Sequence, residues 1–268
     1  MSESDCRRFT ATMADPDAPR PDNPIHSTDG ARRYGFDGAL VGGIHVYGWS
    51  VPAFVEALGN TWLDTGWVDI SFRRPTYAGD DMRIELDDRD PSAFTVSKQT
   101  EVCLRGLVGS GAAPFLPALA VPGTEARQPP SVRTALTLEN APVGRPLAPL
   151  PIPAGSHESS GFLLTLGGDE NGIVGDRHHP AFLAGRMIAL LHHSYEYGPA
   201  IHTRSEVQHL APALISTNHT LFGHGAAAYE KNGHHYIENV GSIRTDTGIE
   251  TTRLRHTVIF RVRPAPAD

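Results

Sequence analysis

The chain has 268 residues, a formal net charge of −7 and a pI near 6.0, with no basic footprint of the kind that binds nucleic acid. Hydrophobic residues make up 40% and charged residues 20%, with 27 Gly and 22 Pro. That is a soluble, turn-rich composition, long enough to bury its own core without disulfide or metal staples. Cys6 and Cys103 form no disulfide framework and fit a reducing compartment; there is no run of about 18 apolar residues to cross a membrane, and Met1–Arg20 lacks the apolar core of a signal peptide, so a cytoplasmic location is expected.

Residues 1–20 read as an exposed arm, followed by the turn chemistry of Pro21-Asp22-Asn23-Pro24. Gly30–Arg33 suits a short helical turn. Gly42–Leu58 is apolar on most sides and predicts a buried helix, with Pro52 expected to kink or restart it behind an N-cap at Ser50, and Gly59 as its C-cap. Strand-like alternation follows at Trp67–Arg73, Met82–Leu86, Phe94–Ser97 and Val102–Val108. A Pro-rich linker over residues 116–154 separates this first unit (1–115) from a second (155–268). In the second unit an apolar helix is predicted from Pro180 to Tyr197, stopped by Gly198-Pro199, then strands at Ile201–Leu210, Leu214–His224, Ala226–Tyr229, His235–Ile243 and Thr252–Val262, with a hairpin turn at Lys231-Asn232-Gly233. The order of buried helix and then strands occurs twice, half a chain apart, which predicts a duplicated α+β architecture: two helices on one continuous antiparallel sheet.

The most informative segment is Asp22-Asn23-Pro24-Ile25-His26, followed by Tyr34-Gly35-Phe36 and Leu40-Val41-Gly42-Gly43 at the start of the first long helix. With Phe72-Arg73-Arg74-Pro75-Thr76-Tyr77-Ala78-Gly79-Asp80 downstream, this text resembles the MaoC-like (R)-specific enoyl-CoA hydratase/acyl dehydratase family. Ile201-His202, Glu206–Leu210 and Glu230–His234 resemble a second, degenerate unit. The resemblance spans residues 8–115 and 155–264. It implies a tandem double hotdog fold and a hydro-lyase that adds or eliminates water at an acyl thioester carried on coenzyme A or acyl carrier protein, with no further cofactor. It also allows a homodimer of double hotdog units.

Syn hydration needs a water held between an acid and a base, and donors for the thioester oxygen as it gains charge. His26 is therefore the candidate acid/base with Asp22 as its partner, and the Gly42 and Gly43 amides at a helix N-terminus are the candidate oxyanion donors. Asn23, His45 and Tyr47 are the remaining candidates for substrate binding, Asn23 by orienting the loop and the other two by lining the pocket. The family pattern places its catalytic Asp five residues before the His, where this chain has Pro21, and its His-Gly at the helix start is replaced by Gly42-Gly43. Either Asp22 has taken over the role or the hydration chemistry is altered. Two alternatives stand beside hydration: a cyclase, isomerase or conjugate-addition catalyst of polyketide type, and a non-catalytic subunit that binds acyl thioesters.

Each of these residues also has a plain structural reading: Asp22 and Asn23 as turn caps, His45 and Tyr47 as core, Gly42-Gly43 as close packing against the sheet. Of the 14 histidines 12 follow residue 150, many in adjacent pairs. Adjacent helical residues point about 100° apart and no His-Glu-x-x-His or accompanying Cys is present, so no metal site is expected; solvated faces or strand hydrogen bonds suit these histidines better.

Overall fold

The computed structural model describes residues 6–20, 23–125, 127–169 and 172–263. The first half runs through β1 (Cys6–Thr10), a 3-10 turn at Pro24–His26, α1 (Thr28–Arg32), α2 (Gly43–Leu58), α3 (Trp62–Thr65), β2 (Trp67–Phe72), β3 (Asp81–Leu86), β4 (Ser92–Lys98) and β5 (Glu101–Gly109). Then come β6 (Thr134–Ala135), β7 (Leu150–Ile152) and α4 (His157–Thr165). The second half continues with α5 (Pro180–His192), β8 (Tyr195–Glu196), β9 (Ile201–His209), β10 (His219–Lys231), β11 (His234–Thr245) and β12 (Glu250–Arg261). Among the described residues, no helix is long and apolar enough to cross a membrane.

Ten strands form one antiparallel sheet in the order β1-β3-β4-β5-β2-β9-β12-β11-β10-β7. The halves join through β2 and β9, in register from Trp67 opposite Gln208 to Ser71 opposite Arg204. Outward from this junction, β2-β5-β4-β3-β1 on one side matches β9-β12-β11-β10-β7 on the other, so the duplication is a property of the fold. Two differences from the sequence reading concern the edges. The supposed arm supplies β1, paired to β3 from Cys6 opposite Glu85 to Thr10 opposite Asp81. Leu150–Ile152, inside the Pro-rich stretch, pairs with β10 as the outermost strand, where Pro151 is tolerated because an edge strand needs fewer N–H donors.

The helices α2 and α5 lie on the inner face and build the core. Val51 and Phe54 are fully buried, and Phe54 packs edge-on against Phe94 and Trp62; a fully buried side chain of this size contributes about 2–3 kcal/mol. No break occurs at Pro52, contrary to expectation: α2 is continuous, and Ser50 Oγ donates to Val46 O at 2.9 Å rather than capping a new helix. Packing on both sides of Pro52 outweighs the one lost backbone hydrogen bond. The helix α5 ends at His192, five residues before the predicted stop, because Tyr195–Glu196 pairs with Thr134–Ala135. Where α2 and α5 approach, a Cβ on Gly185 would lie 2.8 Å from Ile44 Cδ1. The hairpin prediction matches: Asn232 and Gly233 both take positive φ between paired Lys231 and His234. Across the junction, Arg177 grips Asp64 through two bonds of 2.6 and 2.8 Å, and Arg204 grips Asp69 at 3.0 and 2.8 Å.

Candidate active site

A cavity of about 1000 Å³ lies at the junction and takes its walls from both halves. The loop after the 3-10 turn sets its first functional group. Pro24 starts that turn, Ile25 anchors it in a small apolar cluster with Ala31 and Leu40, and His26 at its end enters the cavity wall. His26 Nδ1 lies 2.7 Å from Leu40 O. A carbonyl can only accept, so Nδ1 carries the proton and Nε2 keeps a lone pair. Burial, partly offset by the Leu40 carbonyl and reinforced by Arg20, holds the His26 pKa below the ordinary imidazole value. His26 is therefore neutral at pH 7, with one nitrogen available as a base.

The α2 N-terminus is the second element of the site. Its N-cap is Gly42, which supplies no side-chain cap to the first-turn N–H groups, of which His45 N–H donates to Gly42 O at 2.9 Å. A Cβ on Gly42 would stand 3.1 Å from His45 Nδ1 and 3.8 Å from His26 Cε1, so this glycine sits between the two imidazoles. A Cβ on Gly43 would stand 2.7 Å from the Phe72 ring of β2, so the helix end approaches the sheet as only glycine permits. His45, in the first turn, has an enclosed Nδ1 without a hydrogen-bond partner, and burial, with His26 as the next cause, pushes its pKa down to about 4.

His26, Asn23, Gly42, Gly43 and His45 all line the cavity. Asn23 has its amide committed: Nδ2 donates to Ala200 O at 2.9 Å and Oδ1 accepts from Ala200 N at 3.0 Å, tying the His26 loop to the second half. Tyr47 is a correction. It is 1% exposed, packs toward Phe54 and does not reach the cavity, because two positions beyond His45 the helix has turned its side chains into the core. Asp22 and Pro21 lie outside the described residues.

Two features of the cavity had no role assigned from the motif text. Arg20, Arg73, Arg74 and Arg263 line it, while no Asp or Glu does so among the described residues. His202 reaches it from β9 in the second half and packs against Phe72 in a tilted contact, 4.2 Å between ring centroids. Its place in a sheet strand among apolar neighbours was the available signal, but only the β2–β9 pairing brings it to this wall.

The equivalent helix end in the second half is built differently. The helix α5 begins with Pro180, which has no N–H, and its N-cap His179 accepts from Ala181 N at 3.1 Å. Those donors are consumed, and the nearby cavity, lined in part by His179 and Trp49, holds only about 100 Å³. Five of the late histidines are interior rather than solvated: His178, His179, His209, His219 and His256 are each at most 5% exposed, while His157 is exposed and the others are half-buried. No group of three His, Cys, Asp or Glu side chains is placed to hold a metal ion among the described residues.

No protein-family model matches the chain, and no curated protein matches it in sequence. Solved structures do match in shape. A conserved hypothetical protein from Mycobacterium tuberculosis with a double hotdog fold superposes with a TM-score of 0.56 at 12% identity, covering 94% of this chain and 95% of that one. The acyl-CoA thioesterase II TesB2 from Mycobacterium marinum gives 0.52 at 12% identity, over 86% and 92%. A protein described as a MaoC domain dehydratase from Chloroflexus aurantiacus gives 0.52 at 12% identity, over 87% and 85%. At such identity the likeness is one of architecture, and with the mirrored strand order and paired central helices it establishes that this chain has the double hotdog fold.

Proposed function

We propose that the protein is an enzyme acting on acyl thioesters as a hydratase or dehydratase, with its single site in the first half. The observation that carries this reading is the convergence of a neutral, oriented imidazole, His26, and the uncapped N-terminus of α2 at Gly42–Gly43 on one cavity. In the hydration direction His26 Nε2 accepts a proton from water as its oxygen bonds to the β-carbon and the double-bond electrons pass to the thioester enolate, and Nε2 then returns that proton to the α-carbon on the same face. The thioester oxygen gains negative charge during this addition and is met by the helix-terminal amides. Asp22 is proposed as the partner that activates or holds the water, and Asn23 as the residue that positions the loop. The arginines around the cavity suit a carrier bearing phosphate, coenzyme A or the prosthetic group of an acyl carrier protein.

Hydrolysis of the thioester is the second reading. It is favoured by the absence of a carboxylate from the described cavity lining and by the thioesterase among the structural neighbours. One assay separates the two. Incubation with crotonyl-CoA should consume the enoyl thioester, form a single enantiomer of the 3-hydroxyacyl product and release no free thiol. The His26→Ala variant should lose that activity by about 100-fold or more. Stoichiometric thiol release would assign hydrolysis instead, and a wild-type rate in His26→Ala would end the assignment of His26.

A further inference from the structure

The part of the cavity that would receive an acyl chain is walled by Ile44, Ile188, Ile201 and Ile259. Among the polar residues of the second half that line the cavity, His202 lies between Ile201 and Thr203 on β9 and has no part in the chemistry described above. Behind it runs a buried chain: His202 Nε2 lies 2.8 Å from Ser205 Oγ, and Ser205 Oγ lies 3.1 Å from His256 Nδ1. Ser205 and His256 are each 1% exposed, and the His202 and His256 rings lie 4.0 Å apart between centroids with their planes tilted by 37°. Phe72 supports the other side of the His202 ring. Several buried side-chain polar atoms lack a hydrogen-bond partner among the described residues, and just two of these belong to cavity-lining side chains: His45 Nδ1, at the α2 N-terminus, and His202 Nδ1. An enclosed polar atom without a partner costs stability, and a bound group that supplies the partner recovers it.

We propose that His202 is a specificity residue, which hydrogen-bonds a second oxygen, keto or hydroxyl, carried on the acyl chain away from the thioester carbonyl. This rests on the reading of the cavity as an acyl-thioester site. Phe72 touches the Gly43 position on one side and His202 on the other, so one aromatic ring separates His202 from the oxyanion donors. The recognised oxygen therefore lies several bonds along the chain. Burial and the neighbouring His256 keep His202 uncharged, and a neutral imidazole can donate to a keto oxygen or accept from a hydroxyl. Ser205 holds the Nε2 edge, and Nδ1, enclosed and without a partner at hydrogen-bond geometry, is the nitrogen assigned to the ligand.

The test is calorimetric binding of hexanoyl-CoA and 5-oxohexanoyl-CoA, neither of which requires turnover. The wild-type protein should bind the oxo compound on the order of tenfold more tightly, since a site built around a polar partner rejects the analogue lacking it. His202→Leu should abolish that difference, His202→Gln should retain part of it, and Ser205→Ala should reduce it. Equal wild-type affinities, or an undiminished preference in His202→Leu, would overturn the proposal while leaving the acyl-thioester reading in place. Failure to bind either compound would remove both. The wild-type comparison needs no substitution, so a variant that does not fold leaves the test intact.

Discussion

Acidification is expected to unfold this protein through its interior histidines. Burial is the largest cause in each case: it pushes His178 and His209 down to about 4, and His179 and His256 to about 3. All four are at most 5% exposed. In the unfolded chain each would titrate near 6.5, so as pH falls through that value the unfolded state binds protons that the folded state refuses. The loss of stability begins near pH 6.5, grows toward pH 4 and levels off once the folded groups also protonate. Each histidine costs a little under 1 kcal/mol on going from pH 7.5 to 6.0, and about 2 kcal/mol by pH 5. The four together cost about 3 kcal/mol at pH 6.0 and about 8 kcal/mol at pH 5, comparable to the whole stability of a typical domain. Glu206, whose carboxyl is raised by burial, acts in the opposite sense, while His45 and His202, also held down by burial, add to the effect of the four. Urea unfolding followed by tryptophan fluorescence at pH 7.5, 6.5 and 6.0, at constant ionic strength, should show the midpoint falling with an unchanged slope. Near-UV circular dichroism should collapse near pH 5. His256→Gln should flatten the dependence by no more than about a sixth, because His45 and His202 are held down by burial as well. Equal stability at pH 7.5 and 6.0 would refute the argument, because four neutral buried imidazoles cannot be insensitive to that change.

Gly43→Ala should be more damaging than Gly42→Ala. The new Cβ at Gly43 meets a Phe72 ring already backed by His202, while that at Gly42 meets the edge of His45 at 3.1 Å and His26 Cε1 at an ordinary 3.8 Å. Thermal melts should show a loss of about 1–3 kcal/mol for Gly43→Ala and less for Gly42→Ala; the reverse order would contradict the packing described. Asn23→Ala strips the partners from Ala200 N–H and C=O and should cost about 2 kcal/mol, with the first-half loop becoming more susceptible to proteolysis. In the proposed hydration, kcat/KM should show no acid limb from His26 between pH 8 and 6.5, because burial holds its pKa below the ordinary value. A limb centred at 6.5 or above would place the titrating base elsewhere.

Much of the architecture could be read along the chain because it depends on local periodicity. All-round apolarity marked α2 and α5, alternation marked the strands, and Lys231-Asn232-Gly233 marked the β10–β11 turn. The failures have physical causes. β1 and β7 are short edge strands whose pattern is set by the partner they cap rather than by their own residues. Pro52 and Ser50 have the chemistry of a helix break, yet the packing of Val51 and Phe54 carries α2 through them.

At the site, the motif text placed His26 beside Gly42 and Gly43, since these residues are near in sequence and the turn and helix joining them are local structures. It could not separate His45 from Tyr47. Both sit on the same apolar helix, and only the direction of the sheet decides which side chain meets the cavity and which enters the core. His202 was further out of reach, 176 positions after His26 and brought to the same wall by the β2–β9 register. The late histidines followed the same rule. By themselves the residues determined that two helix-and-strand units would form; pairing those units along one sheet edge decided which polar groups are enclosed, and enclosure sets their protonation and their availability to a ligand.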